Sequence, residues 1–309
     1  MTPAKLWLRI FVAGFLLISS LLVLTLATPI PYGDLSRIGL MSDREFGWTQ
    51  EPPKVAPEYL RAVPLDQADI LVIGDSFSMT HRWQSVLVKG GYKVTTAFWG
   101  QFDERLCGDF DAWLARAGFK GKLVIVESVE RILQERMRYT RSCETMKRPF
   151  AARTEPFAPP LEHVPGFALN WGAKLTSGLD TLKYTRAAKA TTADTVSTDR
   201  TKARTVVNGC EMFSHRLCNK ALFFGEDDEN GELPAEDVAA MQAFTKSQTA
   251  FPMLWMVIPN KTTTYIDPSH SKAFVEAFRA SGLGPDLFAF AQQKKTCLLY
   301  TSDAADEGL

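Results

Sequence analysis

Histidine is scarce in this chain of 309 residues, and neither sign of charge is in excess. Lysine plus arginine and aspartate plus glutamate number 35 each, so the overall charge implies neither a nucleic-acid surface nor a groove for polyanions. No CxxC pair and no histidine cluster accompanies the five cysteines, which sets a zinc site aside. No internal repeat is visible, so a solenoid or propeller is not expected. Only His81, His163, His215 and His270 are available to any chemistry that needs an imidazole.

Charge is missing altogether between Ile10 and Thr28, a run dominated by Leu, Ile, Val, Phe and Ala. At about 1.5 Å per helical residue this run reaches roughly 28 Å, close to the hydrocarbon thickness of a bilayer. A buried soluble helix would not be apolar on every face. Lys5 and Arg9 lie on its N-terminal side, which keeps the amino end in the cytoplasm and exports everything after Thr28. The reading is an uncleaved anchor over residues 1–28, although Thr25-Leu26-Ala27 could serve as a cleavage site.

Residues 29–65 are rich in proline, with Pro52-Pro53 and Pro57, and read as an extended connector. The 297–309 tail resembles the read-through translation of a sequencing-library adapter, so it is taken as non-native and the domain before it as truncated. Asp303, Asp306 and Glu307 belong to that tail, which leaves the remainder slightly basic. Cys297 goes with it. The even count that remains, in an exported chain, predicts two disulfides: Cys210–Cys218 as the local bridge and Cys107–Cys143 as the remainder.

Residues 66–296 alternate between strand and helix patterns. Apolar, β-branched runs predict strands at Ile70–Ile73, Val94–Trp99, Leu123–Val126, Ala221–Phe224 and Met253–Ile258. Leu106, Phe110, Trp113, Leu114 and Ala117 make one apolar helical face between the second and third, and further helices are expected at Ala235–Ser247 and Ser271–Ala280. The fold class is therefore α/β, a parallel sheet covered by helices on both sides. Prolines and a Thr/Ala/Lys-rich portion break the rhythm over about 148–220, read as an insertion after the third strand. Within it, Thr185–Thr201 reads as a solvated loop.

Gly74-Asp75-Ser76-Phe77-Ser78 sits between the first strand and a helix start. At such a turn a serine hydroxyl stands clear of the sheet edge, and helix-start N–H groups point at any negative charge developing beside it. Gly-Asp-Ser is also ordinary turn and N-cap material. The strand before it and the helix after it favour Ser76 as a nucleophile.

A nucleophilic serine needs a base, and the base needs an orienter. His81 follows too closely on the same helix and reads as structural; His163 sits among prolines, and His215 between two cysteines. His270, in Asp267-Pro268-Ser269-His270 after the last strand, can take base and orienter from one loop. Equally, Asp267 and Ser269 can serve as caps for the following helix.

Ile73-Gly74-Asp75-Ser76-Phe77-Ser78 with a downstream Asp-x-x-His resembles the SGNH/GDSL hydrolase superfamily. Several further stretches resemble its alginate O-acetyltransferase-like branch: 32–39 after the membrane segment, Glu127-Ser128-Val129-Glu130-Arg131 after the third strand, and Ile258-Pro259-Asn260-Lys261 with Tyr265. The resemblance implies an oxyanion held by the N–H groups of Ser76 and Gly100. The superfamily's asparagine is missing, with Glu127 to Arg131 in its place. Arg131 is then a substitute donor, or else a surface partner of Glu127 or Glu130. Lys261 would contact polymer, or be a snorkelling surface lysine. The branch also carries an Asp-x-His pair, expected here after Gly284-Pro285-Asp286-Leu287-Phe288 and hence lost in the tail; Asp267 and His270 are the other assignment.

The implied activity is O-acetylation of an exported polysaccharide by an inner-membrane-anchored, periplasm-facing enzyme, with acetyl handed over by a membrane acyltransferase partner. No metal or diffusible cofactor is implied, and no nucleic acid. A secreted carbohydrate esterase using water as acceptor, or a non-catalytic polysaccharide-binding subunit, are the other readings.

Overall fold

The computed structural model describes residues 2–28, 33–47, 54–157, 169–174, 176–198, 200–227 and 231–294. Residues 29–32 and 48–53 of the connector, Pro52-Pro53 among them, His163 and the 297–309 tail lie outside these. Seven strands form among the described residues: β1 (Ile70–Gly74), β2 (Val94–Phe98), β3 (Leu123–Val129), β4 (Thr195–Thr198), β5 (Thr201–Thr205), β6 (Lys220–Phe224) and β7 (Met253–Ile258). The chain divides into two units, one of Met1–Glu51 with Leu161–Gly225, the other of Pro52–Pro160 with Glu226–Leu309.

The second unit holds the parallel sheet. Its strands run in the order β2-β1-β3-β7, every neighbouring pair parallel. Side chains alternate along a strand, so each short apolar run supplies both faces. Leu71, Ile73, Val124 and Val126 face a core with Trp99, Phe110, Leu114, Leu133, Met137, Met241 and Phe274. Ile70, Val72, Val94 and Ile125 face the other way, against Trp83, Leu87 and Val88. The expected Phe110, Trp113 and Leu114 face is buried on the Phe110–Arg116 helix, and Ala235–Ser247 is helical as its pattern predicts.

Several expectations need correction. β6 is a strand as predicted, but it pairs antiparallel with β5, which pairs antiparallel with β4, in a separate sheet of the first unit. A short apolar run carries no information about which sheet it joins; here the adjacent β5 takes it. Thr185–Thr201 is no solvated loop: the Ser177–Ala190 helix buries Gly178, Thr181, Thr185 and Ala188, and β4 follows. Those residues are small and polar enough to hide the buried face from a hydrophobic pattern. Nor is the 33–47 part of the connector extended. Short helices at Asp34–Ile38 and Asp43–Phe46 put Leu35, Met41 and Phe46 into a core with Ala188, Ala203, Leu222 and Phe224. Arg153 donates its N–H to Thr96 O at 2.8 Å, so the start of the expected insertion runs along the free edge of β2 and covers it.

Both cysteine pairs are bonded, with Cα atoms 4.6 Å apart in each. Cys107–Cys143 ties the chain before Phe110–Arg116 to the end of the Glu130–Arg141 helix, and Cys210–Cys218 closes the loop between β5 and β6. The bridges span 36 and 8 residues. Loop-closure entropy gives about 4 kcal/mol for the longer and about 2.5 kcal/mol for the shorter. Replacing Cys107 and Cys143 together by alanine is therefore expected to lower the denaturation midpoint more than the same change at Cys210 and Cys218, as equilibrium unfolding would measure.

The first unit begins with a single helix, Pro3–Leu26, of 24 residues, long and apolar enough to cross a membrane. Its apolar side chains, Leu6 to Val23, are largely exposed.

Candidate functional site

Strand order alone marks one place on the parallel sheet. From β1 the chain turns to β2 on one side, then returns across to β3 on the other, so a crevice opens beyond the carboxyl ends of β1 and β3. The Asp75-Ser76 turn leaves β1 at this point, and Glu127 to Arg131 leave β3 beside it.

Asp75 is the N-cap of the Ser76–Met79 helix, its Oδ1 accepting from Phe77 N at 3.1 Å. Its Oδ2 accepts from Val129 N at 2.7 Å and from Arg136 Nη1 at 3.2 Å, so the cap also laces β1 to β3. Asp75 N donates to Glu127 Oε2 at 2.9 Å, and Ser78 Oγ donates to the same oxygen at 2.7 Å. Gly74 makes this possible. A Cβ there would lie 2.2 Å from Ser78 Oγ and 2.7 Å from Glu127 Oε2.

Arg136 is the cation of this cluster. It is 2% exposed, donates from Nε to Glu104 Oε2 at 2.8 Å and from Nη1 to Ser128 Oγ at 2.7 Å, and stacks its guanidinium 4.6 Å from the Trp99 ring centroid. Trp99 in turn donates its indole N–H to Glu127 O at 2.6 Å. A cavity of about 150 Å³ opens on the group, lined by Asp75, Phe98, Glu104, Ile132, Glu135 and Arg136.

Glu127 is fully buried, and its Oε1 has no hydrogen-bond partner. Burial first, then the negative charge of Asp75, push its carboxyl well above the ordinary 4.5, against the smaller opposing pull of Arg136. A carboxyl whose folded pKa is raised contributes its full share of stability below the unfolded value and loses it as pH rises toward the folded one. Glu127→Gln removes that dependence while keeping an oxygen acceptor for Asp75 N and Ser78 Oγ. Thermal melts of the variant should therefore match wild type near pH 4.5 and exceed it at pH 8.

A second buried carboxylate ties β3 to the loop after β7. Glu130 Oε2 accepts from Asn260 N and Thr263 Oγ1, both at 2.8 Å, and Oε1 from Ser271 Oγ at 2.7 Å. His270 Nε2 stands 3.8 Å from Glu130 Oε1. Burial raises the Glu130 pKa, although these donors pull the other way.

The sequence-derived residues fall out as follows. Ser76 is the first residue of its helix, as expected, but it is 2% exposed, so its side chain does not stand clear of the sheet edge. Gly100 lies exposed in the Trp99–Phe102 turn after β2. Asp267 meets His270 through the main chain, His270 N donating to Asp267 O at 3.0 Å, and not through the imidazole ring. Its Oδ1 accepts from Ser269 N at 3.0 Å and Ser269 Oγ at 2.5 Å, an exposed turn cap that lowers its pKa, and the carboxylate facing His270 Nε2 is Glu130. Arg131 is buried, so it is no surface partner of Glu127 or Glu130; Nη1 pairs with Asp227 Oδ1 at 3.4 Å, and its main-chain N–H donates to Asn260 Oδ1. Lys261 opens the Lys261–Tyr265 helix and is 4% exposed, which excludes a snorkelling surface lysine. His81 is buried with Nδ1 2.7 Å from Leu60 O, and its burial depresses the imidazole pKa. His215 Nε2 lies 2.6 Å from Lys220 O. Each ring thus meets a main-chain carbonyl oxygen.

Sequence reasoning missed the Asp75–Glu127–Arg136 cluster and the part played by Glu130. One signal was present: Arg136 falls among Leu133, Met137 and Thr140 at helical spacing, a charge on an otherwise core-facing stripe. Among the described residues, no group of three or more His, Cys, Asp or Glu side chains could hold a metal ion.

The chain so described is an α/β protein with a four-stranded parallel sheet flanked by helices, one apolar N-terminal helix and two disulfides. No protein-family model, curated protein or solved structure matches it.

Proposed function

We propose that this protein is a membrane-anchored O-acetyltransferase that passes acetyl groups through Ser76 to the hydroxyls of an exported polysaccharide. The observation that carries the reading is the place of Ser76: first residue of a helix, directly after β1, at the crevice where strand order reverses, on a turn immobilised by Asp75.

In this reading Ser76 Oγ attacks the acetyl carbonyl of the donor, its proton passes to the base, and the donor's leaving group departs protonated. A sugar hydroxyl then attacks the acyl-serine, gives up its proton to the base, and Ser76 recovers its own. His270 would be the base among the described residues; Glu130 Oε1, 3.8 Å from its Nε2, is the carboxylate that faces the ring, although Nε2 itself makes no hydrogen bond. The donor would come from a membrane acyltransferase partner, and the disulfides fit an oxidising, periplasmic compartment. SGNH-type kinship rests on the Gly74-Asp75-Ser76 turn and on the β2-β1-β3-β7 order together.

One observation weighs against Ser76 as the nucleophile, its 2% exposure, and a non-catalytic, polysaccharide-binding subunit is the reading left if it does not react. Trapping decides between them. Incubation of the full chain with a chromogenic acetyl ester should leave an acetyl adduct on the peptide carrying Ser76, detected by mass spectrometry, and acetate release without transfer to glycan would mark an esterase. Polysaccharide binding with no adduct would establish the non-catalytic role.

A further inference from the structure

Four large apolar side chains of the first unit stand in water beside the end of the membrane helix. Trp171 is 77% exposed, Leu182 48%, Leu179 43% and Leu169 40%. Scattered surface leucines need no explanation, but a tryptophan and three leucines grouped on one short segment do.

Their position explains them. Asn170 N donates to Leu26 O, the last residue of the Pro3–Leu26 helix, at 2.9 Å. The Ser177–Ala190 helix packs on the same end. A Cβ at Gly178 would lie 2.9 Å from Thr25 Cα and 3.0 Å from Leu24 O, so glycine is what allows the two backbones to approach. Both contacts hold the 169–182 segment at the level where the apolar helix ends.

That level is a membrane interface if the helix spans. Trp7, 66% exposed, lies nineteen residues before Leu26, about 28 Å along the helix axis, close to the hydrocarbon thickness. Trp7 and Trp171 then mark the two rims, where amphipathic indoles concentrate. Leu179 and Leu182 share one side of their helix with the exposed Lys183 and Arg186, so apolar contact is followed by cations within reach of anionic headgroups.

We infer that Leu169, Trp171, Leu179 and Leu182 lie in the headgroup region of the bilayer and seat the first unit on the membrane surface. The occupant of this face is lipid, because it continues the lipid-facing surface of the helix it touches. The anchor is then two-part: a span, and an interfacial helix that prevents the unit from swinging freely about the span.

The test uses the full chain in lipid nanodiscs of phosphatidylethanolamine and phosphatidylglycerol, in a Cys297→Ser background. Trp171→Cys and Leu182→Cys each carry an environment-sensitive fluorophore; Val207→Cys, at a site 82% exposed, calibrates aqueous access. Brominated acyl chains should quench the labels at 171 and 182 several-fold more than iodide does, the reverse of the label at 207. Iodide quenching at 171 and 182 equal to that at 207 would overturn the inference. So would shielding from both quenchers, which would mean that a protein covers the face. All three positions are exposed, so their substitution leaves the core intact.

Discussion

If Ser76 is the proposed nucleophile, Ser76→Ala is expected to lower acetyl transfer by about a thousandfold or more in kcat, the scale on which removal of a serine nucleophile acts. The oxygen removed is buried, but the cap and the bridge of the turn come from Asp75. Asp75 supplies the cap to Phe77 N and the bridge to Val129 N, and neither bond involves the Ser76 side chain. A melting temperature close to wild type, together with no acetylated glycan and no acetyl adduct, is the expected combination. Unchanged glycan acetylation by the alanine variant would remove Ser76 from the chemistry and leave the polysaccharide-binding role. His270→Ala should reduce adduct formation as well, whereas Asp267→Ala should not, since the Asp267 carboxylate is engaged by Ser269 and Glu130 faces the ring.

Arg136→Leu is expected to be the most destabilising single change in the second unit. Its guanidinium is buried against Asp75 and Ser128, with Glu104 completing the set, and its loss leaves Asp75 with an uncompensated buried charge next to Glu127. Removing one partner of a buried ion pair costs about 3–5 kcal/mol, against about 0–1 kcal/mol for a surface pair. For a unit of this size that corresponds to a fall in melting temperature on the order of 10 °C. The sign of its pH dependence is also fixed. Without the cation the pull opposing the raised pKa of Glu127 is gone and that carboxyl holds its proton more readily in the folded state, so the deficit should be smaller at pH 5 than at pH 8. Adding Glu127→Gln to Arg136→Leu should recover part of the loss at pH 8, because one of the two facing acids is then neutral. A melting temperature within about 2 °C of wild type at both pH values would show that the cluster carries no such weight.

Much of the sheet was legible in the chain. β1, β2 and β7 lie where short β-branched apolar runs predict strands, because a strand buried on both faces needs nearly every residue apolar. The Phe110–Arg116 and Ala235–Ser247 helices follow from their spacing and charge patterns. β3 runs three residues further than its apolar core, through Glu127 and Ser128 to Val129. Polarity argued for an end there. The ladder with β7 continues regardless, because Glu127 finds Asp75 N and Ser78 Oγ as donors.

The site was legible only in part. Ser76 was read from its turn, since strand, Gly-Asp-Ser and helix are contiguous. Glu130 and Arg136 were not, because what gives them meaning lies 140 and 61 residues away, at His270 and Asp75. Proximity in sequence offers Asp267 to His270 and equally as a cap, and in the tight turn its carboxylate reaches the intervening serine.

Local patterning by itself determined the apolar helix at the start of the chain, most of the parallel-sheet strands and the turn that holds Ser76, since each depends on residues within one element. Only the tertiary structure decided which sheet β6 joined, which carboxylate met which cation, and that the Ser76 side chain is buried. Those are outcomes of desolvation among groups far apart in sequence: a charge taken out of water needs a partner wherever the fold brings one.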